Sequence, residues 1–332
     1  MRIAINGFGR IGRIFLRSIL TRPGIQVVAI NDLTDTRTLA HLFKYDSVHR
    51  GFKGTVDFDN EHLIINNNTI KVFAQRDPAT LPWAELDIDL VVESTGKFTS
   101  RDGAQLHLQA GAKQVIISAP SGDKSVPTVV LGVNDDTVDI TSPILSNASC
   151  TTNNVAAMVK ILDDNWGIVD GYITTVHSMT GDQSLHDAPH KDLRRARAAS
   201  ASIIPTTTGA AKAITNIFPH LEGKLGGAGI RVPVLNGSLT DFTCSLKKET
   251  TVEQINLAFK QAANGPFKTI LEYTEDPIVS TDILDNTHSC IFDALLTSIV
   301  GGLVKVVGWY DNETGYSSRL ADLVEKINLL KK

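Results

Sequence analysis

The sequence predicts an α/β fold in two parts, and three observations carry that reading. The chain has 332 residues, more than one hydrophobic core usually supports, because single cores stop growing at about 250–300 residues. Its first 32 residues run strand, glycine-rich turn, helix, strand and acid. Near residue 149 this short alternation gives way to longer strands and a long polar segment, which marks a change of architecture.

Composition narrows the function classes. The chain is 42% hydrophobic and 20% charged, ordinary for a soluble globular protein. Its net charge of −4 gives no global basic field to gather nucleic acid or anionic lipid. The three cysteines, Cys150, Cys244 and Cys290, are far apart, which argues against a disulfide framework and for a reducing compartment. No Cys-x-x-Cys pair or Cys/His cluster with zinc spacing occurs, so no metal site is expected. A strand pattern begins at once, which leaves no room for a signal or transit peptide and makes a cytoplasmic location the expectation. No apolar run approaches the ~18 residues of a membrane span.

Arg2–Asn6 reads as an apolar strand, followed directly by Gly7-Phe8-Gly9-Arg10-Ile11-Gly12. Ile14, Phe15, Ser18 and Ile19 then recur at helical spacing, and Gln26–Asn31 forms a second strand ending at Asp32, 20 positions after Gly12. This is a dinucleotide-binding fingerprint in its required context. Gly7 makes the tight turn, Gly9 lets a pyrophosphate approach the backbone, and Gly12 lets helix and strand pack closely. The pyrophosphate belongs on the helix N-terminus. A carboxylate at Asp32 accepts hydrogen bonds from both ribose hydroxyls and repels a 2′-phosphate, which predicts NAD over NADP.

Thr38–Tyr45 reads as a helix, and Val56–Phe58, Leu63–Ile65 and Ile70–Phe73 as short strands with a turn at Asn66-Asn67-Asn68. Asp89–Val92 and Gln114–Ser118 are buried strands that end in small polar residues. In an open parallel sheet, ligands lie off the carboxyl ends of strands. Thr95, Gly96 and Ser118 therefore either line a cofactor crevice or supply ordinary turn chemistry.

Cys150 opens a helical pattern, with Val155, Met158, Val159 and Leu162 on one face and Asn147 or Ser149 as N-cap. Unpaired N–H groups and the helix dipole favour an anion at such a start, so a thiol there ionises more easily. The alternative is a small buried cysteine. Gly171–His177 is a β-branched strand ending on a histidine, the natural general base at neutral pH. A Cys–His pair forms if the fold brings the two within reach.

Met179–Ser202 is long, polar and weakly periodic, with Arg194-Arg195-Ala196-Arg197 near its end. Loops this long tend to be functional. The arginines are either a solvated face or, beside Thr206-Thr207-Thr208-Gly209 at the start of a helix Ala210–Phe218, part of a phosphate site. Arg231 sits in the apolar strand Gly229–Pro233 and needs an anion or a carboxylate such as Asp241. Leu239–Leu246, His288–Phe292 and Val304–Trp309 read as strands and Thr251–Ala263 as a helix, with Cys244 and Cys290 as core thiols. Asp311 or Asn312 caps a last helix bearing Tyr316, Leu320, Leu323 and Ile327 on one face.

Four segments carry a family resemblance: Ile5–Arg13, Ser146–Asn153, Ile203–Lys212 and Trp309–Tyr316. The chain resembles phosphorylating glyceraldehyde-3-phosphate dehydrogenases of the cytosolic bacterial type. The resemblance implies a Rossmann NAD-binding domain over 1–149 and a catalytic domain over 150–311 with a mixed, largely antiparallel sheet. It also implies a C-terminal helix, 312–332, that returns to the first domain. Cys150 resembles the nucleophile that attacks the aldehyde, and His177 its base. Their product is a thioester that inorganic phosphate converts to 1,3-bisphosphoglycerate.

Arg10, Ile11, Asp32, Arg76, Ser94, Thr95, Ser118 and Asn312 resemble NAD contacts. Thr180 and Arg231 resemble the site for the substrate phosphate. Ser149, Thr151, Thr208 and Gly209, with Arg195 nearby, resemble the site for inorganic phosphate. The resemblance further implies a homotetramer in which the Met179–Ser202 loop lies against a neighbour's cofactor. Erythrose-4-phosphate dehydrogenase and a non-catalytic NAD-binding interaction protein are the competing readings.

Two positions depart from the pattern. Asn154 stands where family members commonly carry a second cysteine, four residues after the nucleophile, so no local disulfide can protect Cys150 on oxidation. Ala188-Pro189 replaces a frequent Leu-Pro and leaves more room near the adenosine ribose, which weakens the bias against NADP.

Overall fold

The computed structural model describes residues 1–330 and divides the chain into two compact units. The first holds residues 1–129 and 135–148 with the C-terminal helix from Leu320; the second holds 130–134 and 149–319. The last two residues of the helix expected to reach 332 lie outside the described residues.

In the first unit the elements are β1 (Arg2–Asn6), α1 (Arg10–Ile19), β2 (Gln26–Asn31), α2 (Thr36–Lys44), β3 (Val56–Phe58), β4 (His62–Ile65), β5 (Asn68–Phe73), β6 (Leu90–Glu93), α3 (Arg101–Gln109), β7 (Val115–Ile117) and β8 (Ile144–Ser146). They form one eight-stranded sheet in the order β3-β4-β5-β2-β1-β6-β7-β8. From β5 to β8 all pairs are parallel, while β3, β4 and β5 form an antiparallel meander. The parallel part has the strand order of a dinucleotide-binding Rossmann sheet, with its reversal between β1 and β6. β1 and β6 are buried along almost their whole length, as parallel strands covered on both faces require.

Boundaries shift where capping chemistry decides them. Helix α2 begins at Thr36, not Thr38, because the Asp35 side chain accepts the Thr38 N–H at 2.9 Å. The Asn66-Asn67 turn holds both residues at positive φ, 49° and 65°, a conformation that asparagine tolerates better than most residues. Helix α3 and strand β8 are additions to the elements expected. The α3 sequence is polar, carries Gly103, and buries only Ala104 and His107, so its helical period is faint.

The second unit contains α4 (Cys150–Trp166), β9 (Ile168–Ser178), β10 (Ile204–Thr206), α5 (Ala210–Ile217), β11 (Leu225–Val232), β12 (Ser238–Leu246), α6 (Val252–Asn264), β13 (Leu271–Thr274), β14 (Cys290–Asp293), β15 (Ser298–Val300) and β16 (Leu303–Tyr310). Its sheet runs β10-β11-β9-β12-β16-β14-β13, with β15 on the far edge of β16. Only β11–β9 and β13–β14 pair in parallel, so the sheet is mixed and largely antiparallel. Met179–Ile203 contains no helix or strand.

Helix α4 departs from a simple amphipathic helix. Thr151 to Val159 are all buried, so this part of the helix is enclosed on every side, including the polar Thr152, Asn153 and Asn154. Asn154 Nδ2 donates to the Trp309 carbonyl at 3.2 Å. The residue that replaces the family's second cysteine thus ties α4 to β16. Helix α7 (Thr314–Leu330) starts where Asp311 Oδ1 accepts the N–H groups of Glu313 and Thr314 at 2.9 and 2.7 Å. Its later turns belong to the first unit, where Arg22 pairs with Asp322 at 2.5 Å and with Glu325.

Candidate active site

In the first unit a cleft of about 310 Å³ opens at the β1/β6 reversal, lined among others by Gly7, Gly9, Asp32, Arg76, Ser94 and Thr95. Each glycine has a distinct spatial reason. Gly7 has φ +93°, and a Cβ there would lie 2.7 Å from the Thr95 nitrogen; at Gly12 it would lie 2.3 Å from the Gly7 carbonyl oxygen. Around Gly9 nothing lies within 4 Å. This open cradle at the start of α1 is where a side chain would obstruct a pyrophosphate, so the residues fit a dinucleotide. Asp32 accepts the Phe8 N–H at 2.8 Å and the Thr34 N–H at 3.0 Å, which fixes its carboxylate at the cleft.

Other expected cofactor residues have local duties. The Ser94 hydroxyl donates to the Gly7 carbonyl at 2.6 Å and ties the turn. The Thr95 hydroxyl donates to Glu93. The Arg10 guanidinium pairs with Asp46 at 2.6 Å. Although burial works against the Asp46 charge, the His49 N–H and Arg10 hold it down at about 2. Ile11, Gly96 and Ser118 lie outside the cleft lining, with Ser118 N–H bonded to the Glu93 carbonyl at 2.9 Å.

Beneath the cleft lies a buried network that sequence reading missed. Glu93 accepts Asn6 Nδ2 at 2.5 Å and His107 Nε2 at 3.1 Å, and Asn6 Oδ1 accepts Asn31 Nδ2 at 2.7 Å. Trp83 Nε1 donates to His107 Nδ1 at 3.1 Å. An indole only donates, so the His107 proton sits on Nε2 and points at Glu93. Asn6 within the fingerprint segment was the available signal; His107, in an unrecognised helix, had none.

In the second unit the chain enters α4 just after Ala148, whose φ is +56°, a left-handed conformation costing about 1 kcal/mol. Ser149 is the N-cap, its hydroxyl accepting the Thr152 N–H at 3.0 Å. Cys150 Sγ then lies 3.4 Å from His177 Nε2, on the adjoining strand β9. Burial raises the thiol above its ordinary range, against the lowering pull of Arg231 and the Thr151 N–H. The main-chain N–H groups at the helix start act in the direction expected, favouring the thiolate, and burial acts against them. Burial, with the Arg231 charge beside it, lowers His177 to about 3.

Tyr310, also missed, closes the floor. Its ring packs edge-on against His177 at 6.0 Å, and its hydroxyl links Thr151 Oγ1 at 2.9 Å to Thr175 Oγ1 at 2.8 Å. The Thr151 hydroxyl thus points into this chain of hydroxyls. Thr175 in turn donates to the Leu239 carbonyl at 3.2 Å. Asn312 Oδ1 accepts from the hydroxyls of Ser178 and Ser238 at 2.9 and 2.8 Å and from Gly237 N–H at 3.2 Å, leaving its amide protons as the side chain's donors.

The cationic groups fall into two classes. Arg195 is 20% exposed and reaches Asp182 at 2.8 Å and Thr206 at 3.0 Å, whereas Arg197 is 66% exposed and pairs with Asp187. Thr180 donates to Asp182. Burial works against the Asp182 charge, yet Thr180, Arg231 and Arg195 hold it below the usual carboxylate range. Arg231 Nη1 lies 2.7 Å from His177 Nδ1 and 3.0 Å from the Ser178 carbonyl. Asp241 is not its partner; it lies on β12, two strands from β11, and pairs with Lys305 at 2.7 Å. Thr208 accepts the Ala210 N–H at 3.2 Å, and Gly209 is the N-cap of α5.

A Rossmann unit with a glycine cradle, joined in one chain to a unit carrying an enclosed Cys–His pair and arginines, defines the class of a nucleotide-dependent thiol enzyme. Comparison with known proteins narrows it. Residues 1–101 match the family model of the glyceraldehyde 3-phosphate dehydrogenase NAD binding domain, and residues 149–312 that of its C-terminal domain. The chain is 54% identical over 329 residues to glyceraldehyde-3-phosphate dehydrogenase of Geobacillus stearothermophilus. It is 57% identical over 327 residues to that of Thermotoga maritima, each pairing covering 98% of both chains. The chain belongs to the glyceraldehyde-3-phosphate dehydrogenase family, and its nucleotide cofactor is NAD.

Proposed function

We propose that this chain oxidises D-glyceraldehyde 3-phosphate to 1,3-bisphosphoglycerate with NAD and inorganic phosphate, through a thioester on Cys150. The observation that carries the reading is the 3.4 Å approach of Cys150 Sγ to His177 Nε2 at the start of α4. Cys150 gives its thiol proton to Nε2 and its sulfur bonds to the aldehyde carbon. The Cys150 backbone N–H and protonated Nε2 stabilise the oxyanion that forms, which takes the proton back from Nε2 to give a thiohemiacetal and leaves that nitrogen free. Bound NAD supplies the hydride acceptor for oxidation of that adduct. His177 Nε2 takes the adduct's hydroxyl proton as the carbonyl re-forms, leaving the thioester. A phosphate oxygen then bonds to the carbonyl carbon, the C–S bond breaks, and Cys150 departs as thiolate.

Asp32 and the N–H groups at the start of α1 hold the cofactor, with Gly7, Gly9 and Gly12 shaping its cradle. Arg10 and Ile11 contribute main-chain N–H groups, because the Arg10 guanidinium is engaged by Asp46. Arg76, Thr95 and Gly96 border the cofactor, and Ser94 and Ser118 fix the strand ends. Asn312 donates to the carboxamide. Thr180 and Arg231 hold the substrate phosphate, and Ser149, Thr151, Thr208, Gly209 and Arg195 serve inorganic phosphate.

A homotetramer is supported by the long Met179–Ile203 segment, where Leu185, Leu193 and Ile203 are 68%, 81% and 71% exposed, apolar surface of the kind that partners cover. The free thiol at Cys150 suits a reducing, cytoplasmic setting.

Initial rates of NADH formation test the reading. Glyceraldehyde 3-phosphate should be oxidised with NAD in preference to NADP, and turnover should depend on phosphate. Preference for erythrose 4-phosphate, or turnover indifferent to phosphate, sinks it.

A further inference from the structure

Two chains of hydrogen-bond donors run toward each other beneath the cofactor cleft and meet on one carboxylate. From one side the Trp83 indole donates to His107 Nδ1 at 3.1 Å, and His107 Nε2 donates to Glu93 Oε2 at 3.1 Å. From the other, Asn31 Nδ2 donates to Asn6 Oδ1 at 2.7 Å, and Asn6 Nδ2 donates to the same Glu93 oxygen at 2.5 Å. Glu93 Oε1 accepts the Thr95 N–H at 2.8 Å and the Thr95 hydroxyl. All four partners donate, and only a group made of acceptors can end both chains.

The outer ends of the chains cannot reverse. An indole nitrogen only donates. Asn31 is held by the main chain of Gln75, whose N–H goes to Oδ1 at 2.8 Å and whose carbonyl accepts Nδ2 at 2.9 Å. Each amide between these ends therefore has one orientation. Trp83, His107 and Glu93 are at most 1% exposed. Burying a carboxylate among amide, hydroxyl and imidazole donors, with no ammonium or guanidinium in contact, works against stability, so packing alone does not explain the arrangement.

What the network holds is the border of the cleft. Asn6, Asn31, Gln75 and Thr95 line it, whereas Trp83, His107 and Glu93 do not. Asn6 and Asn31 end β1 and β2, Gln75 lies just past β5, and Thr95 just past β6. Thr95 is also the wall of the glycine turn, since a Cβ on Gly7 would lie 2.7 Å from its nitrogen. Asn6 immediately precedes that turn. Through Asn6 and Thr95, Glu93 ties together both sides of the β1/β6 reversal.

We propose that His107 and Glu93, with Trp83 fixing the imidazole, are positioning residues for the adenosine half of the cofactor. Their hydrogen bonds set the spacing of four strand ends before the nucleotide arrives, which lowers the ordering cost of binding. The inference rests on the assignment of this cleft to NAD in the functional reading above, and deepens it.

ADP-ribose, which carries the adenosine and pyrophosphate but no nicotinamide, is the probe, titrated calorimetrically into the full-length protein. His107→Phe keeps a ring against Phe98, a cleft residue whose ring meets His107 edge-on at 6.4 Å, and removes both hydrogen bonds. His107→Gln keeps one acceptor and one donor and removes the ring. ADP-ribose should bind about tenfold more weakly to His107→Phe, the scale of one buried hydrogen bond, and His107→Gln should recover most of the affinity. KM for NAD should follow the same order, while kcat at saturating NAD stays near wild type. A packing role alone would lower the melting temperature and leave the ADP-ribose affinity of the folded protein unchanged.

His107→Phe protein that melts cooperatively and binds ADP-ribose like wild type overturns the proposal, and so does His107→Gln binding as weakly as His107→Phe. If His107→Phe does not fold, nitrogen-15 NMR of histidine-labelled wild type decides, with the His107 signals assigned by their loss in His107→Gln. The imidazole proton should sit on Nε2; a proton on Nδ1 overturns the proposal. Binding of ADP-ribose needs no turnover. Weaker binding by His107→Phe, in a protein that forms no NADH from glyceraldehyde 3-phosphate, keeps this inference and removes the functional reading; unchanged binding with NADH formed does the reverse.

Discussion

The cleft of the first unit and the thiol site of the second are built on opposite plans. The cleft is made mainly of main chain: an open glycine cradle, helix N–H groups and one carboxylate, Asp32, fixed by the N–H groups of Phe8 and Thr34. Its key parts lie within one strand–helix–strand stretch. The thiol site is made of side chains from α4, β9, β11 and β16, and its contacts span up to 159 positions of sequence, as between Thr151 and Tyr310. Main-chain sites are set by local conformation, so a spacing rule finds them. Side-chain sites are set by packing, and no spacing rule reports which groups touch.

The comparison is broken most severely by Cys150→Ser. Activity should fall to a trace, because a hydroxyl is a far weaker nucleophile and an ester a less reactive intermediate, while NAD affinity measured by titration calorimetry stays near wild type. Loss of both together would show that the two regions do not act separately. His177→Asn should lower kcat by about 10²–10⁴, the usual worth of a positioned general base, again with NAD binding kept.

The pH profile sharpens the electrostatic side. Burial holds the thiol up and His177 down at about 3. The thiol must lose a proton to react, so kcat/KM should climb with pH through and beyond neutrality. Because His177 is already neutral above about pH 3, no histidine limb should appear between about pH 5 and 7. A limb near the ordinary imidazole value would show that the ring titrates in the working range.

Asp32→Ala attacks the cleft instead. NAD binding should weaken by about 1–3 kcal/mol, the cost of a lost charge-assisted hydrogen bond, and the NADP/NAD ratio of kcat/KM should rise. An unchanged ratio would remove Asp32 as the ribose ligand.

The smallest effect is expected from Tyr310→Phe. The hydroxyls of Thr151 and Thr175 lose their link, which costs about 1–2 kcal/mol in urea unfolding, with the Cys150–His177 pair retained. A stability loss below measurement would mean that the hydroxyl chain re-forms without the tyrosine.

Much of this protein was legible in its sequence, for reasons that differ by residue. The Gly7, Gly9 and Gly12 spacing with Asp32 identified a dinucleotide turn because steric constraints on backbone approach act over a few residues. The cap chemistry before Cys150 placed a helix start there, but left Asn147 and Ser149 open until the Thr152 N–H was seen on Ser149. Strands β9, β11 and β12 were readable from β-branched and apolar runs; their pairing was not.

What the sequence alone determined was the list of reactive side chains and the local turns that present them. What only the tertiary structure decided was how those side chains meet. Burial acts against the thiolate that the helix start and Arg231 favour. Arg231 turns to His177 and the Ser178 carbonyl and leaves Asp241 to Lys305. Tyr310 joins two threonines beneath the pair. Burial and hydrogen-bond partners are properties of packing across distant elements, and they set the electrostatic surroundings on which the chemistry of Cys150 depends.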